Sequence, residues 1–266
     1  MKNSFKYIKN IFKVLIWPIV FTIGSFLINY IFVAIFNSKE KGTMNNNQFL
    51  EYINTLEYQD KLNNYINSKS LLIILITLII FLPLLYKVFK KYKEKNTFKL
   101  KEIIIPIILG ITISLSYNII IFYLNNIFHF TNNYQVSSIP IIVQIVCSGI
   151  CGPILEELLF RGIVYNKLKT FNKKKTAIIL TSVIFALFHT DIVNMIYAFI
   201  VSFVLIDVYK KYKTLKAPII THMFLNITII LMLNLIIKNY LAFNLYLLII
   251  SIIILLLLKI ILKKDE

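Results

Sequence analysis

The sequence predicts an all-α membrane protein, a polytopic helical bundle with about eight transmembrane helices. Of its 266 residues, 58% are hydrophobic, and the mean hydropathy is +0.77. A soluble domain of this length needs a polar exterior and cannot bury so much apolar surface. The apolar residues also occur in long runs that are separated by short clusters of lysine. The lipid bilayer is therefore the expected solvent.

Eight apolar runs are candidates for membrane spans. A helix needs about 20 apolar residues to cross a bilayer, and fewer suffice where it is buried among others. The first run is too long for the apolar core of a signal peptide, and no small-residue cleavage site follows it, so we expect an uncleaved span. The predicted spans cover residues 11–36, 70–86, 103–124, 139–165, 176–191, 193–208, 217–237 and 240–258.

The distribution of basic residues predicts the orientation of these spans. The net charge of +17 would suggest nucleic acid in a soluble protein, but here the lysines lie between apolar runs, so no nucleic-acid partner is expected. With the N-terminus inside and the spans alternating, only five of the 29 basic residues fall outside: Lys39, Lys41, Lys61, Lys69 and Lys238. The positive-inside rule therefore predicts a multi-pass cell-membrane protein with both termini cytoplasmic. The Ile, Lys and Asn bias is typical of a low-GC bacterium.

The long connection at 37–69 is the largest segment outside the predicted spans. Its apolar residues recur at roughly helical spacing, which favours an amphipathic helix at the membrane surface over a solvated loop. The chain has neither an internal repeat nor a low-complexity linker, so we expect a single membrane domain over 1–266.

Ionisable residues inside predicted spans are few, and such residues are energetically costly and usually functional. Asn226 adds a neutral polar group one helical turn after the second histidine. The ionisable candidates are Glu156, Glu157, Arg161, His189 and His222.

Arg161 is the only arginine among the 29 basic residues. Arginine stays charged when buried, and its planar fork binds carboxylates in a way that lysine cannot. It follows Glu157 by four positions, the favourable order for a helical ion pair. The pair could equally serve architecture without chemistry, because buried ion pairs often do.

Glu156 is expected to have a different partner. Adjacent helical positions point about 100° apart, so Glu156 cannot share the arginine as well as Glu157 does. A second carboxylate in a low dielectric needs its own partner, and one so tuned can act as a general base. His189 and His222 are the candidate partners.

In this order the residues resemble a known family. Glu156 to Arg161 resembles an EExxxR motif, Phe185 to His189 resembles FxxxH, and His222 to Asn226 resembles HxxxN. All three are complete and lie on predicted spans, as in the CPBP family of type II CAAX prenyl proteases and bacteriocin-processing or immunity proteins. The resemblance covers roughly 139–230, the expected catalytic core, and leaves 1–138 as a more variable region without a family motif.

The resemblance implies an eight-helix intramembrane endopeptidase acting on a membrane-associated peptide or protein, such as a bacteriocin or pheromone precursor. Glu156 would activate the attacking water and His189 would hold it. His222 and Asn226 would stabilise the oxyanion. Glu157 and Arg161, with Phe185 in the second motif, would support these residues.

A metal is a possible alternative to this glutamic mechanism. Glu156, His189 and His222 could supply three ligands for a catalytic zinc and leave an open position. The sequence lacks HExxH, however, and a metal-free mechanism without cofactor is favoured. Two other functions remain open: a non-catalytic immunity or scaffold protein, and a transporter, which intramembrane Glu and His would also suit. Against the transporter stands the absence of detectable repeated halves.

Overall fold

The computed structural model describes residues 2–92, 98–128, 139–189, 192–236, 249 and 251–256. Within these ranges the chain is helical and contains no β-strand, which confirms the predicted all-α class. Leu100–Glu102 forms a 3₁₀ turn, and Met232–Ile236 continues the last long helix as a π-helix. The principal helices are α1 (Lys2–Lys41), α2 (Asn46–Tyr52), α3 (Leu56–Phe89), α4 (Ile104–Phe128), α5 (Ile141–Leu168), α6 (Lys174–Ala186), α7 (Ile192–Tyr212) and α8 (Lys216–Leu231).

Six helices of the described ranges are long and apolar enough to cross a membrane: α1, α3, α4, α5, α7 and α8 with its continuation. The predicted span at 176–191 differs. It forms α6, which has 13 residues and is only about 20 Å long, shorter than a hydrocarbon core of about 30 Å. The predicted span at 240–258 lies mostly outside the described residues, although 249 and 251–256 are helical. The multi-pass architecture is confirmed, whereas the count of eight and the orientation of the termini stay predictions.

The 37–69 connection is largely helical. Helix α1 runs on to Lys41, and α2 begins after Asn45, whose side chain and that of Gln48 cap each other's backbone N–H. Thr55 caps the start of α3 through the Tyr58 N–H. Side chains capping the first N–H groups of a helix stabilise its start, which explains where these helices begin. The helical character is confirmed, and the position at the membrane surface stays a prediction.

Helix α5 lies in the centre of the described bundle. It packs against α1, α3, α6 and α8. All eight residues of Leu158–Tyr165 are buried, and together they point in all directions around the helix axis. A helix that is apolar all round is one enclosed by others. The polar side chains of α5 are therefore held within the protein.

Helix α5 changes its winding on both sides of the paired glutamates. Ile145–Cys151 and Leu158–Tyr165 are π-helical, whereas Gly152–Glu157 is α-helical. A π-helix bonds each N–H to the carbonyl five residues earlier, and such turns are frequent at functional sites. The Asn166 amide donates to the carbonyls of Arg161 (3.1 Å) and Gly162 (3.0 Å), which stabilises the end of the second π-helical segment.

Helices α4 and α8 approach each other closely at Gly110. A Cβ built on Gly110 would lie 2.3 Å from the carbonyl oxygen of Thr221, so only glycine fits. Small residues let transmembrane backbones come into contact in this way. Since Thr221 precedes His222, this contact fixes the part of α8 that carries the histidine.

Candidate active site

The two glutamates of α5 lie in different environments. The side chain of Glu157 is fully buried, whereas that of Glu156 is 32% exposed. This difference follows from the 100° between neighbouring helical positions, which turns one carboxylate into the bundle and the other towards its accessible side. Glu156 is therefore the carboxylate that a substrate or a water molecule can reach.

Glu157 forms the predicted ion pair with Arg161. Arg161 Nη1 donates to Glu157 Oε1 over 2.8 Å, and both side chains are completely buried. A buried charge is tolerated when it has an opposite charge and hydrogen bonds, and unpaired it would be strongly destabilising. The pairing predicted from the i, i+4 spacing is present in the structure.

Arg161 has two further contacts that hold its guanidinium group. Nη2 donates to Ser202 Oγ on α7 over 3.1 Å, and Cζ lies 4.4 Å from the centre of the Phe185 ring. A guanidinium over an aromatic face gains a cation–π attraction, which is stronger away from water. Within the described residues, Arg161 Nε and Glu157 Oε2 have no hydrogen-bond partner.

His222 of α8 lies between the two carboxylates. Its Nδ1 is 2.8 Å from Glu157 Oε1, and its Nε2 is 3.8 Å from Glu156 Oε2. A carboxylate beside a buried arginine is an acceptor, so Nδ1 carries a proton and donates a hydrogen bond to Glu157. This hydrogen bond fixes the ring and directs Nε2 towards Glu156. The structure thus brings together Glu156 and His222, but their separation is longer than a hydrogen bond.

His189 lies beyond the end of α6, against the same aromatic ring as His222. The Phe185 ring is 5.2 Å from the His189 ring and 6.0 Å from the His222 ring, with edge-to-face geometry in both cases. His189 Nδ1 is 3.2 Å from the Phe185 carbonyl oxygen. A hydrogen bond to this carbonyl requires the proton on Nδ1, which leaves Nε2 as the nitrogen available for another partner.

Asn226 is positioned by the main chain of α5. Its Nδ2 donates to the Ser148 carbonyl over 2.9 Å, so the amide group is oriented with its nitrogen towards α5. An amide nitrogen has two N–H donors, and the second is not used by this bond. Ser148 lies in the π-helical segment that precedes the glutamates, which links the winding of α5 to the orientation of Asn226.

The described residues do not fit the zinc alternative. Nowhere in the described ranges do three His, Cys, Asp or Glu side chains converge as ligands for a metal ion. In particular, Glu156, His189 and His222 do not form such a group.

Sequence reasoning missed the side chain of Ser202 and the main-chain carbonyl of Ser148. A serine in a predicted span has no signal of its own, because serine hydroxyls commonly bond to their own helix. Phe185 was identified only as part of a motif, and the structure adds that its ring contacts Arg161 and both histidines. These residues reach the site through contacts between helices, which spacing along one helix does not reveal.

The region that holds this site matches a family of known proteins. Residues 138–228 match the family described as type II CAAX prenyl endopeptidase Rce1-like. This match agrees with the resemblance carried by the three motifs. No solved structure gives a significant match to the chain.

Two curated bacterial proteins are similar to this part of the chain. "Putative membrane peptidase YdiL" of Bacillus subtilis (strain 168) is 30% identical over 106 residues, which are 40% of this chain and 43% of that protein. "UPF0177 protein YxdF" of Lactococcus lactis subsp. lactis (strain IL1403) is 33% identical over 90 residues, 34% of this chain and 49% of that protein. The match thus spans about half the length of each relative.

Proposed function

We propose that the chain is an intramembrane endopeptidase of the CPBP family of type II CAAX prenyl proteases and related proteins. It hydrolyses a peptide bond in a membrane-associated peptide or protein. The match of residues 138–228 to the Rce1-like family and the similarity of two curated relatives to this region support the proposal. The observation that carries this proposal is the geometry of His222: one nitrogen is held by the buried Glu157, and the other faces the accessible Glu156.

Glu156 acts as the general base in this proposal. It is accessible enough to meet a water molecule, and it lies on an otherwise buried helix that limits its competing contacts. The carboxylate takes a proton from water as the water oxygen bonds to the scissile carbonyl carbon. The proton then passes to the leaving nitrogen as the C–N bond breaks, which regenerates the carboxylate. His189, with Nε2 available, holds the attacking water.

His222 and Asn226 stabilise the negative charge that develops on the carbonyl oxygen. Asn226 has one amide N–H left after its bond to Ser148. His222 donates from Nε2 when its ring carries both protons. The positive charge of that ring offsets the charge of Glu156, as Arg161 offsets that of Glu157. Donors that are already oriented towards the oxyanion cost no reorganisation during the reaction, which makes this type of stabilisation effective.

Glu157 and Arg161 hold His222 in place and do not meet the substrate. Both are fully buried, and their contacts are to each other, to His222, to Ser202 and to Phe185. This support resembles other catalytic arrangements in which a buried carboxylate fixes the tautomer of a histidine. Processing of a bacteriocin or pheromone precursor, or immunity to a bacteriocin, is the more specific role that the family suggests.

The second candidate is a non-catalytic immunity or scaffold protein. The observation that favours it is the complete burial of the Glu157–Arg161 pair, which would stabilise helix packing without any chemistry. Substitution of Glu156 separates the two functions, because Glu156 contributes a base to catalysis but, at 32% exposure, little to packing.

The test compares the purified protein with its Glu156→Gln and His222→Ala variants on a library of quenched peptides. Glu156→Gln keeps the size of the side chain and removes the base. Glu51→Gln on α2 is the matched control, because Glu51 is an exposed glutamate outside the site. We expect cleavage by the wild type and the control, and loss of cleavage in both site variants. Cleavage that persists in both would refute the assignment, and a chelator added to the wild type tests the zinc alternative directly.

If the wild type cleaves no peptide of the library, a test in cells distinguishes the peptidase from the scaffold. If the chain protects against a bacteriocin or processes a pheromone, the Glu156→Gln variant at normal membrane abundance should lose that phenotype. Retention of the full phenotype would support the scaffold instead.

A further inference from the structure

We propose that Ser202 is a positioning residue that keeps Nδ1 of His222 bonded to Glu157 and so holds Nε2 towards Glu156. Its catalytic consequence rests on the proposed peptidase function, whereas its effect on the histidine does not. The hydroxyl lies outside all three motifs, on α7, and is joined to the histidine through two intermediate side chains.

The first step is the burial of Ser202. The residue is completely buried, and its Oγ accepts a hydrogen bond from Arg161 Nη2 over 3.1 Å. This bond crosses from α7 to α5, between residues 41 positions apart. A buried guanidinium needs acceptors for its N–H groups, and Nε already has none among the described residues. Ser202 therefore supplies one of only two acceptors seen for Arg161.

The second step is the orientation of the guanidinium plane. Arg161 is held on one edge by Glu157, on the other by Ser202, and on its face by Phe185. The hydroxyl of Ser202 accepts from the second terminal nitrogen and so restrains the guanidinium plane against rotation.

The third step passes from Arg161 to His222. The same oxygen, Glu157 Oε1, accepts from Arg161 Nη1 and from His222 Nδ1, at 2.8 Å in each case. A displaced guanidinium would draw this oxygen with it and weaken the bond to Nδ1. The ring would then lose the bond that orients it, and Nε2 would no longer be held towards Glu156.

A second contact between α7 and α5 provides a matched control. Asn166 Nδ2 donates to Tyr209 Oη over 2.7 Å, near the other end of the same interface. This contact joins the same two helices, but Asn166 meets Arg161 only at its main-chain carbonyl and contacts neither the guanidinium nor His222. Tyr209→Phe should therefore lower thermal stability, as Ser202→Ala does, without any change at the histidine.

The test reads the histidine directly by ¹⁵N NMR of histidine-labelled protein in detergent. The His222 signals are assigned by comparison with a His222→Gln variant. For the wild type we expect a proton on Nδ1. For Ser202→Ala we expect the ¹⁵N signals of the His222 ring to change, because the bond from Nδ1 to Glu157 is weakened. We also expect kcat to fall by about tenfold at unchanged KM, the lower end of the effect of removing a residue that orients an active-site side chain. Ser202→Thr retains the hydroxyl and should restore both.

The outcomes separate the two proposals. Unchanged His222 signals and unchanged kcat in Ser202→Ala would overturn the role of Ser202. A shifted His222 spectrum in a protein that cleaves no peptide would support the role of Ser202 and count against the peptidase. If Ser202→Ala does not accumulate, Ser202→Cys takes its place, because the thiol is similar in size but a weak acceptor. An identical effect of Tyr209→Phe on the His222 signals would also overturn the inference, since loosening of the interface alone would then explain it.

Discussion

Gly110 lies so close to Thr221 that any larger residue at position 110 would overlap it. A Cβ there would come within 2.3 Å of the Thr221 carbonyl oxygen. We expect Gly110→Ala to separate α4 from α8 and to lower the free energy of unfolding by about 1–3 kcal/mol, the usual cost of overpacking. Thermal unfolding in detergent measures this change. Since His222 follows Thr221, activity should fall as well.

Gly152→Ala is the control for that substitution. Its Cβ would meet the Cys147 carbonyl oxygen at 3.5 Å, an ordinary contact, and alanine favours helix more than glycine does. The variant should be at least as stable as the wild type. Equal melting temperatures for the two alanine variants would contradict the close packing of α4 and α8.

Removal of Arg161 should be costly because it leaves a buried carboxylate without its counter-charge. We expect Arg161→Met to reduce the free energy of unfolding by about 3–5 kcal/mol, whereas the double variant Glu157→Gln with Arg161→Met should lose less than the single variant. A double-mutant cycle on thermal or denaturant unfolding checks this. Strict additivity of the two single effects would show that the pair is not coupled.

Asn226 is expected to act in the transition state rather than in substrate binding. Asn226→Ala removes an oxyanion donor, so kcat should fall by about 10²–10³ with little change in KM. Asn234→Ala is the control on the same helix, because Asn234 forms a reciprocal amide pair with Gln144 instead. A similar loss of kcat in both variants would contradict a specific role for Asn226.

The orientation of the chain is predicted from its charges and can be measured independently of activity. A fluorescent protein fused to the C-terminus should fold and fluoresce, because both termini are predicted to be cytoplasmic. A phosphatase reporter inserted near Met44 should be active, because that connection is predicted to lie outside and the enzyme is active only there. A dark C-terminal fusion together with an inactive phosphatase would show that the membrane topology is the reverse of the predicted one.

Much of this fold could be predicted because each long span carries its own signal. Apolar run length identified the six helices that the structure describes as long enough to cross a membrane. The same signal placed the end of the 176–191 span too late, because hydropathy continues through Phe188 but the helix ends at Ala186. The length of an apolar run indicates how well a segment suits the bilayer. It does not show the residue at which the helix ends.

The site was predictable where it depends on spacing along one helix. The Glu157–Arg161 pair follows from i, i+4 geometry, and the separation of Glu156 from that pair follows from the 100° turn. The hydrogen bond from His222 to Glu157, and those of Ser202 and Ser148 with Arg161 and Asn226, cross between helices. Their existence depends on helix rotation and packing, which no pattern within a single segment encodes.

The π-helical winding of 158–165 makes the number of residues in α5 as important as their identity. Deletion of one residue from 158–160 would bring the arginine from the fourth to the third position after Glu157. On a regular helix that change rotates it by about 100°. Every side-chain type of the site would survive such a deletion, yet the guanidinium would turn away from Ser202 and Phe185, which hold it from the neighbouring helices. Loss of a single codon in this segment would therefore be as damaging as a changed one.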